Sequence, residues 1–97
     1  MTDLSIKIID IIKAIPHGKV LTYGEVAFRA GSPRAARQVS HILHSLSEKY
    51  QLPWHRVINS QGKISLKGFA GEEQFHLLAA ENIKIVNGKI DLDIYMG

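Results

Sequence analysis

Gly31-Ser32-Pro33 carries a stop signal for one helix and a start signal for the next, with nothing between them. Gly31 can take the left-handed conformation that ends a helix. Ser32 has an N-cap side chain, and Pro33 suits the first helical position, where its missing N–H costs nothing. Upstream, Thr22-Tyr23-Gly24-Glu25 matches a capping box, in which Thr22 caps amides that Glu25 reaches back to complement. The helix it opens runs to about Ala30. Downstream, Ala35/Ala36, Val39, Ile42/Leu43 and Leu46 form an apolar stripe over 33–46. The opposite stripe is Arg34, Arg37/Gln38, His41 and His44/Ser45. Two helices joined by so tight a turn, the second with a basic polar face, form a helix-turn-helix pattern.

Before this unit, Leu4, Ile8, Ile11, Ile12 and Ile15 recur at helical spacing until Pro16-His17-Gly18 stops them, and Val20-Leu21 reads as a short strand. After it, Glu48 to Leu52 reads as loop. Val57-Ile58 and Lys63-Ile64-Ser65 flank Asn59-Ser60-Gln61-Gly62 as a hairpin wing. A last helix is predicted over Glu72 to Glu81, with Phe75, Leu78 and Ala79 inward and Asn82 as its C-cap. Ile83–Val86 and Lys89–Ile94 around Asn87-Gly88 make the strongest hairpin signal in the chain. The expectation is an α+β, winged helix-turn-helix-like domain over 1–97, mostly helical with short β-hairpins.

With 97 residues, 45% of them hydrophobic, the chain can bury one real core. It contains no cysteine. That removes disulfides, thiolate metal sites and cysteine nucleophiles together, and fits a reducing compartment. No basic n-region precedes an apolar run at Met1-Thr2-Asp3-Leu4, and no stretch approaches the roughly 18–20 apolar residues of a membrane span. A cytoplasmic, membrane-free monomer is expected. The net charge of +3 permits a polyanionic partner without requiring one. His41 and His44 stand at i, i+3 with no carboxylate partner in sequence, so neither metal nor cofactor is expected.

Two segments are candidates for chemistry. The basic stripe of 33–46 is either a solvated helix face or a recognition surface, on which Arg37 reaches a base and Arg34 holds phosphate. Leu52-Pro53-Trp54-His55-Arg56-Val57-Ile58 is equally open: a lone Trp beside Pro is more often packing than a site, and a lone His more often structural than catalytic.

Pro53-Trp54-His55-Arg56-Val57 resembles the Pro-Cys-His-Arg-Val active-site signature of O6-alkylguanine-DNA alkyltransferases, with tryptophan at the cysteine. That replacement is the mark of the alkyltransferase-like proteins. Ile15-Pro16-His17-Gly18-Lys19-Val20, Thr22-Tyr23-Gly24-Glu25-Val26-Ala27, Gly31-Ser32-Pro33-Arg34-Ala35-Ala36-Arg37-Gln38-Val39 and Leu77-Leu78-Ala79-Ala80-Glu81 follow in the family's order and spacing. The resemblance runs to about Asn82.

It implies that the helix bearing Arg34, Ala35, Ala36, Arg37 and Gln38 docks in the minor groove of double-stranded DNA, the two alanines allowing close approach. Arg37 matches the finger that fills the vacated stack, and Tyr23 the tyrosine that pushes on the flipped nucleotide's phosphate. Tyr23, Pro53, Trp54, Val57 and Lys67 are the implied lesion pocket. Within it, the backbone carbonyls of Trp54 and Val57 would accept from the guanine amine. Relatives with tryptophan here often set an arginine just beyond the wing. Ser65-Leu66-Lys67-Gly68 offers only Lys67 there, a more hydrated cation. His55 and Glu81 match the family's cysteine-activating relay.

A thiolate attacks an alkyl carbon because it is polarisable and anionic near neutral pH; an indole has no ionisable atom near that pH and no lone pair suited to displacement. The resemblance therefore implies a non-enzymatic binder of O6-alkylguanine that marks lesions for nucleotide excision repair. The alternatives are a cysteine-independent enzyme using His55 to remove alkyl group or base, and a sequence-specific winged-helix regulator.

Overall fold

In the computed structural model, which describes residues 1–97, helix α1 spans Asp3–Lys13 and opens where the Thr2 hydroxyl accepts the Ser5 amide. It buries Ile8, Ile9 and Ile12, and Ile15 is buried just beyond its end. Ile11, expected inward, is only half-buried because Ile9 takes the core-facing position.

Helix α2 (Tyr23–Arg29) is capped by the Thr22 hydroxyl, 3.0 Å from the Glu25 amide. The capping box is only half formed. Glu25 turns forward to Arg29 at 2.8 Å, because an i,i+4 cation offers the carboxylate a stronger partner than an amide does. Gly31 ends the helix at φ +84°: its amide donates to the Phe28 carbonyl, and the Ser32 amide to that of Ala27. This pair of bonds is a Schellman motif.

The next helix, α3 (Ala36–Tyr50), starts three residues later than Pro33 predicts, and Ser32 does not cap it. The Ser32 carbonyl instead accepts the Ala35 amide at 2.9 Å, forming a turn that drops Ala35 into the core at 9% exposure. The stripe Val39 and Ile42 is buried and Leu43 and Leu46 pack beside it, as expected. At its far end α3 continues through Glu48–Tyr50, where a loop is expected. No breaker precedes Pro53, and Lys13 and Lys49 lie over the Tyr50 ring at 5.4 and 5.5 Å. Gln51 then takes φ 51°, and the Leu52 amide returns to the Ser47 carbonyl, seating Leu52 at 4% exposure.

Strand β1 (Leu21–Thr22) pairs in parallel with β2 (Val57–Ile58), so Leu21 faces Val57 and Thr22 faces Ile58. The expected ladder between Val57-Ile58 and Lys63-Ile64-Ser65 is therefore absent. Asn59 closes this segment with its side chain, Oδ1 accepting the Gln61 and Lys63 amides at 3.0 and 2.9 Å. Gly62 is needed there, since a β-carbon on it would overlap the Ile90 carbonyl oxygen.

Helix α4 spans Gly68–Ala80, starting before Glu72. Its buried face is Gly71, Gln74 and Leu78, while Phe75 (41% exposed) and Ala79 point outward, reversing the expectation for both. Asn82 takes φ 64° one residue past the Glu81 cap, and the Ile83 amide reaches the Leu78 carbonyl. Strands β3 (Ile85–Val86) and β4 (Lys89–Ile90) form the expected hairpin, with Asn87 and Gly88 at φ 53° and 73° as a type I′ turn requires. The strand ends at Ile90, before the predicted Ile94. Asp91 accepts the Asp93 amide and turns the chain into the one-turn helix α5 (Leu92–Tyr95).

Two apolar clusters result. One joins α1, α2 and α3 through Ile8, Ile12, Val26, Val39 and Val57; the other joins Val20, Ile58, Leu78, Ile83 and Ile90. Adjacent residues of β2 enter different clusters, which ties the segment before it to both. No helix is long and apolar enough to cross a membrane.

Candidate functional site

The segment before β2 is built by two tight turns. Pro53 sits at φ −75°, ψ 66°, an inverse γ-turn closed by the Trp54 amide on the Leu52 carbonyl at 2.7 Å. Trp54–Arg56 then make one 3₁₀ turn. Leu52 and Val57 anchor this excursion in the core, at 4% and 1% exposure, while Trp54 between them stays partly open to solvent.

Behind it lies a polar network centred on Glu81, the residue capping α4. Its carboxylate receives the Gly18 amide at 2.7 Å, His55 Nε2 at 2.6 Å and Arg56 Nε at 3.0 Å to both oxygens. Arg56 also donates to the Ile15 carbonyl at 2.9 Å. Burial pushes the Glu81 carboxyl up. The Arg56 guanidinium, the Gly18 amide and His55 outweigh it and hold the group at about 2. An ionised carboxylate only accepts, so His55 Nε2 is the donor in this pair. Gln74 Nε2 donates to the carbonyls of His55 and Val57, each at 3.1 Å. No buried side-chain polar atom is left without a partner.

On the other side an open cleft of about 800 Å³ runs between α3 and α4. Tyr23, Leu43, Leu52, Trp54, Leu66 and Ala70 supply its apolar surface. Trp54 meets His55 edge-on, ring centroids 6.2 Å apart, so the cleft wall leans on the Glu81 network. Burial raises the Tyr23 phenol and the Ser65 hydroxyl opposes that; the net shift is upward, leaving a neutral O–H at the cleft.

Of the implied pocket residues, the structure brings Tyr23 and Trp54 together on this cleft. Val57 is buried in β2 with its carbonyl engaged by Gln74, and Pro53 shapes the turn; neither lines it. Lys67 is exposed at the N-cap position of α4, outside the lining, and Leu66 takes the cleft position beside it. His55 and Glu81 do meet. Sequence reasoning missed Arg56 and Gln74 as parts of this network. For Gln74 a signal existed, because it falls between Gly71 and Leu78 on the i, i+3, i+7 face of α4.

On the α3 side, Arg34 and Arg37 are exposed and make no ion pair or hydrogen bond within the chain, as are His41 and His44. The first turn of α3 carries no acidic residue and no side-chain cap. Its free amides and two unengaged guanidinium groups are the chemistry that holds phosphate. Ala35 is buried and Ala36 half-buried. Gln38 Nε2 donates to Ser5 Oγ at 3.2 Å, tying α3 to α1. No cluster of three metal-ligating side chains occurs.

Residues 3–83 match the model of the 6-O-methylguanine DNA methyltransferase, DNA binding domain. The chain belongs to this family. It is 52% identical over 86 residues to the DNA base-flipping protein of Escherichia coli, covering 88% of this chain and 67% of that one. It is 50% identical over 96 residues to the DNA base-flipping protein of Vibrio parahaemolyticus, covering 98% and 96%. The crystal structure of Schizosaccharomyces pombe Atl1 in complex with damaged DNA containing O6-carboxymethylguanine matches at TM-score 0.87 and 38% identity, over 100% of this chain and 96% of that one. The methyltransferase-family match ends at Ile83, so the β3–β4 hairpin and α5 lie beyond it. Within the family's α+β helix-turn-helix frame, the cysteine signature falls on the 3₁₀ turn, where Trp54 faces the cleft.

Proposed function

We propose that this protein recognises O6-alkylguanine in double-stranded DNA, holds the damaged nucleotide flipped out in the cleft between Tyr23 and Trp54, and leaves the alkyl group in place. The observation that carries this reading is Trp54, which lines an open cleft at the family's nucleophile position in a chain with no cysteine. Indole supplies no thiolate-like lone pair for displacement. His55 and Glu81, locked to Arg56 and Gly18, act as a rigid wall behind Trp54 rather than as a relay.

Flipping costs a few kcal/mol, least for a damaged pair, and stacking on Trp54 and Tyr23 recovers it. A cleft of about 800 Å³ suits a nucleobase with a sizeable substituent. α3 enters the minor groove at its N-terminal end, where the small Ala36 allows close approach while Ala35 packs in the core, Arg37 fills the vacated stack, and Arg34 holds phosphate. Gln38 keeps α3 in register on α1 while facing the same groove. Lys67, exposed outside the cleft lining, adds positive charge for the DNA backbone and does not contact the adduct. The protein acts as a cytoplasmic monomer without cofactor, and the held lesion marks the site for nucleotide excision repair. The names of the base-flipping relatives and the damaged-DNA complex of Atl1 support this reading.

Trp54 is the chain's one tryptophan, so its emission tests the proposal directly. Titration with a duplex carrying one O6-methylguanine is expected to shift that emission, saturating at one lesion per protein. Unmodified duplex should shift it less and lose the effect steeply with salt. Mass spectrometry afterwards should find unmodified protein and intact alkylguanine. Released alcohol or free base would establish an enzyme, and an unshifted spectrum on saturating lesion DNA would remove Trp54 from the site.

Tyr23 has a raised phenol that stays neutral, so it offers bulk and a hydrogen bond but no charge to the phosphate. Tyr23→Ala is expected to abolish the rise of a fluorescent base analogue placed opposite the lesion, and Tyr23→Phe to retain most of it. Retention of the full signal by Tyr23→Ala would show that the ring does not drive flipping.

A further inference from the structure

The cleft has a charge character that its apolar end does not reveal. Along α3, Ser40, His44, Ser47 and Glu48 line one wall, and Glu73 of α4 joins from the other helix. No lysine or arginine lines it. Both glutamates are exposed, and the ion pairs of the chain engage only Glu25 and Glu81. Lys49, next to Glu48 in sequence, is turned onto the Tyr50 ring. Two carboxylates from different helices therefore stand on the cleft unneutralised.

We propose that Glu48 and Glu73 set the adduct preference of this cleft: it accepts O6 substituents that are neutral or donate hydrogen bonds, and rejects anionic ones. The inference rests on the cleft being the lesion pocket. Specificity of this kind comes from a repulsive element built against one ligand, not from extra attraction to the other. A hydroxyalkyl group can donate to a carboxylate, and the serine hydroxyls and Gln51 add partners for it. A carboxymethyl group brings a third negative charge into the same space, with no arginine or lysine on the wall to receive it. Atl1 of S. pombe has been crystallised with just such an anionic adduct. The two proteins are thus expected to differ in ligand range despite a shared fold.

Equilibrium binding to one duplex carrying guanine, O6-methylguanine, O6-(2-hydroxyethyl)guanine or O6-carboxymethylguanine tests this. The titrations are run at about pH 8, above the range in which imidazoles ordinarily gain charge. The methyl and hydroxyethyl adducts are expected to bind about tenfold more tightly than the carboxymethyl adduct. The E48Q/E73Q double variant should close that gap, each single variant closing part of it. Taking the carboxymethyl-to-methyl ratio within each variant cancels the general gain in DNA affinity from lost negative charge. E72Q, on α4 but off the cleft, should leave the ratio unchanged. Equal binding of carboxymethyl and hydroxyethyl adducts by the native protein, or a ratio that the double variant does not move, would overturn the inference while leaving the lesion pocket standing. A protein that prefers no adduct over guanine would overturn the pocket reading and this inference with it.

Discussion

Glu81→Gln is expected to cost about 3 kcal/mol of folding stability at pH 7, which is what lowering a carboxyl from its ordinary 4.5 to about 2 represents. Glu81 is 8% exposed, so solvent screens its partners little. The folded-state value is depressed, so the unfolded chain binds the extra proton as pH falls. The contribution is complete above pH 4.5 and is lost progressively towards pH 2. Urea unfolding at a series of pH values checks this. The gap between native protein and variant should be widest at neutral pH and close through that acidic window. A gap of constant size down to pH 2 would mean that shape, not charge, makes Glu81 necessary. Because His55, Arg56 and Gly18 all converge on this carboxylate, the variant should also loosen the Trp54 turn and broaden its emission.

Arg37→Ala is expected to weaken binding to an O6-methylguanine duplex about tenfold, the loss of one stacked, partly desolvated guanidinium. Binding to undamaged duplex should fall only by the share of one exposed cation, since the finger has a place to enter only after flipping. Arg37 is exposed and makes no ion pair or hydrogen bond within the chain, so the substitution leaves folding intact. Anisotropy titrations of both duplexes at matched salt decide it. Equal losses on both, with a shallower salt slope, would make Arg37 a phosphate contact and move the finger role to Arg34.

Much of this molecule was legible before its structure. Local chemistry announced several turns and helix ends that depend on a left-handed residue or a side-chain cap: Thr22 and Gly31 around α2, Asn82 after α4, and Asn87-Gly88 in the hairpin, though not Thr2, Gln51 or Asp91. These signals act within four residues, so they survive in a one-dimensional reading. The errors share a different origin. Ser32 and Pro33 looked like a helix start, yet the Schellman bonds at Gly31 engage Ser32 and shift the start to Ala36. Val57-Ile58 looked like half of a local hairpin, yet it pairs with Leu21-Thr22, which no short-range pattern encodes. Phe75 looked inward by hydrophobicity, yet the buried position goes to Gln74, whose amide satisfies two backbone carbonyls that a phenyl ring would leave bare.

The sequence by itself determined the family, the helix-turn-helix frame and the loss of the thiol, because the Pro-Trp-His-Arg-Val segment and the missing cysteine are facts of composition and order. Tertiary structure alone decided which residues share a space. Trp54 and Tyr23 lie 31 positions apart and line one cleft, whereas Pro53 and Val57, beside Trp54 in the chain, do not. Glu48 and Glu73, on separate helices and unremarkable in sequence, give that cleft its charge. Arg56 and Glu81 meet only because α4 ends against the Trp54 turn. The physical reason is the same in each case: packing two apolar clusters on either side of β2 fixes where distant side chains converge, and neither periodicity nor capping chemistry reaches that far.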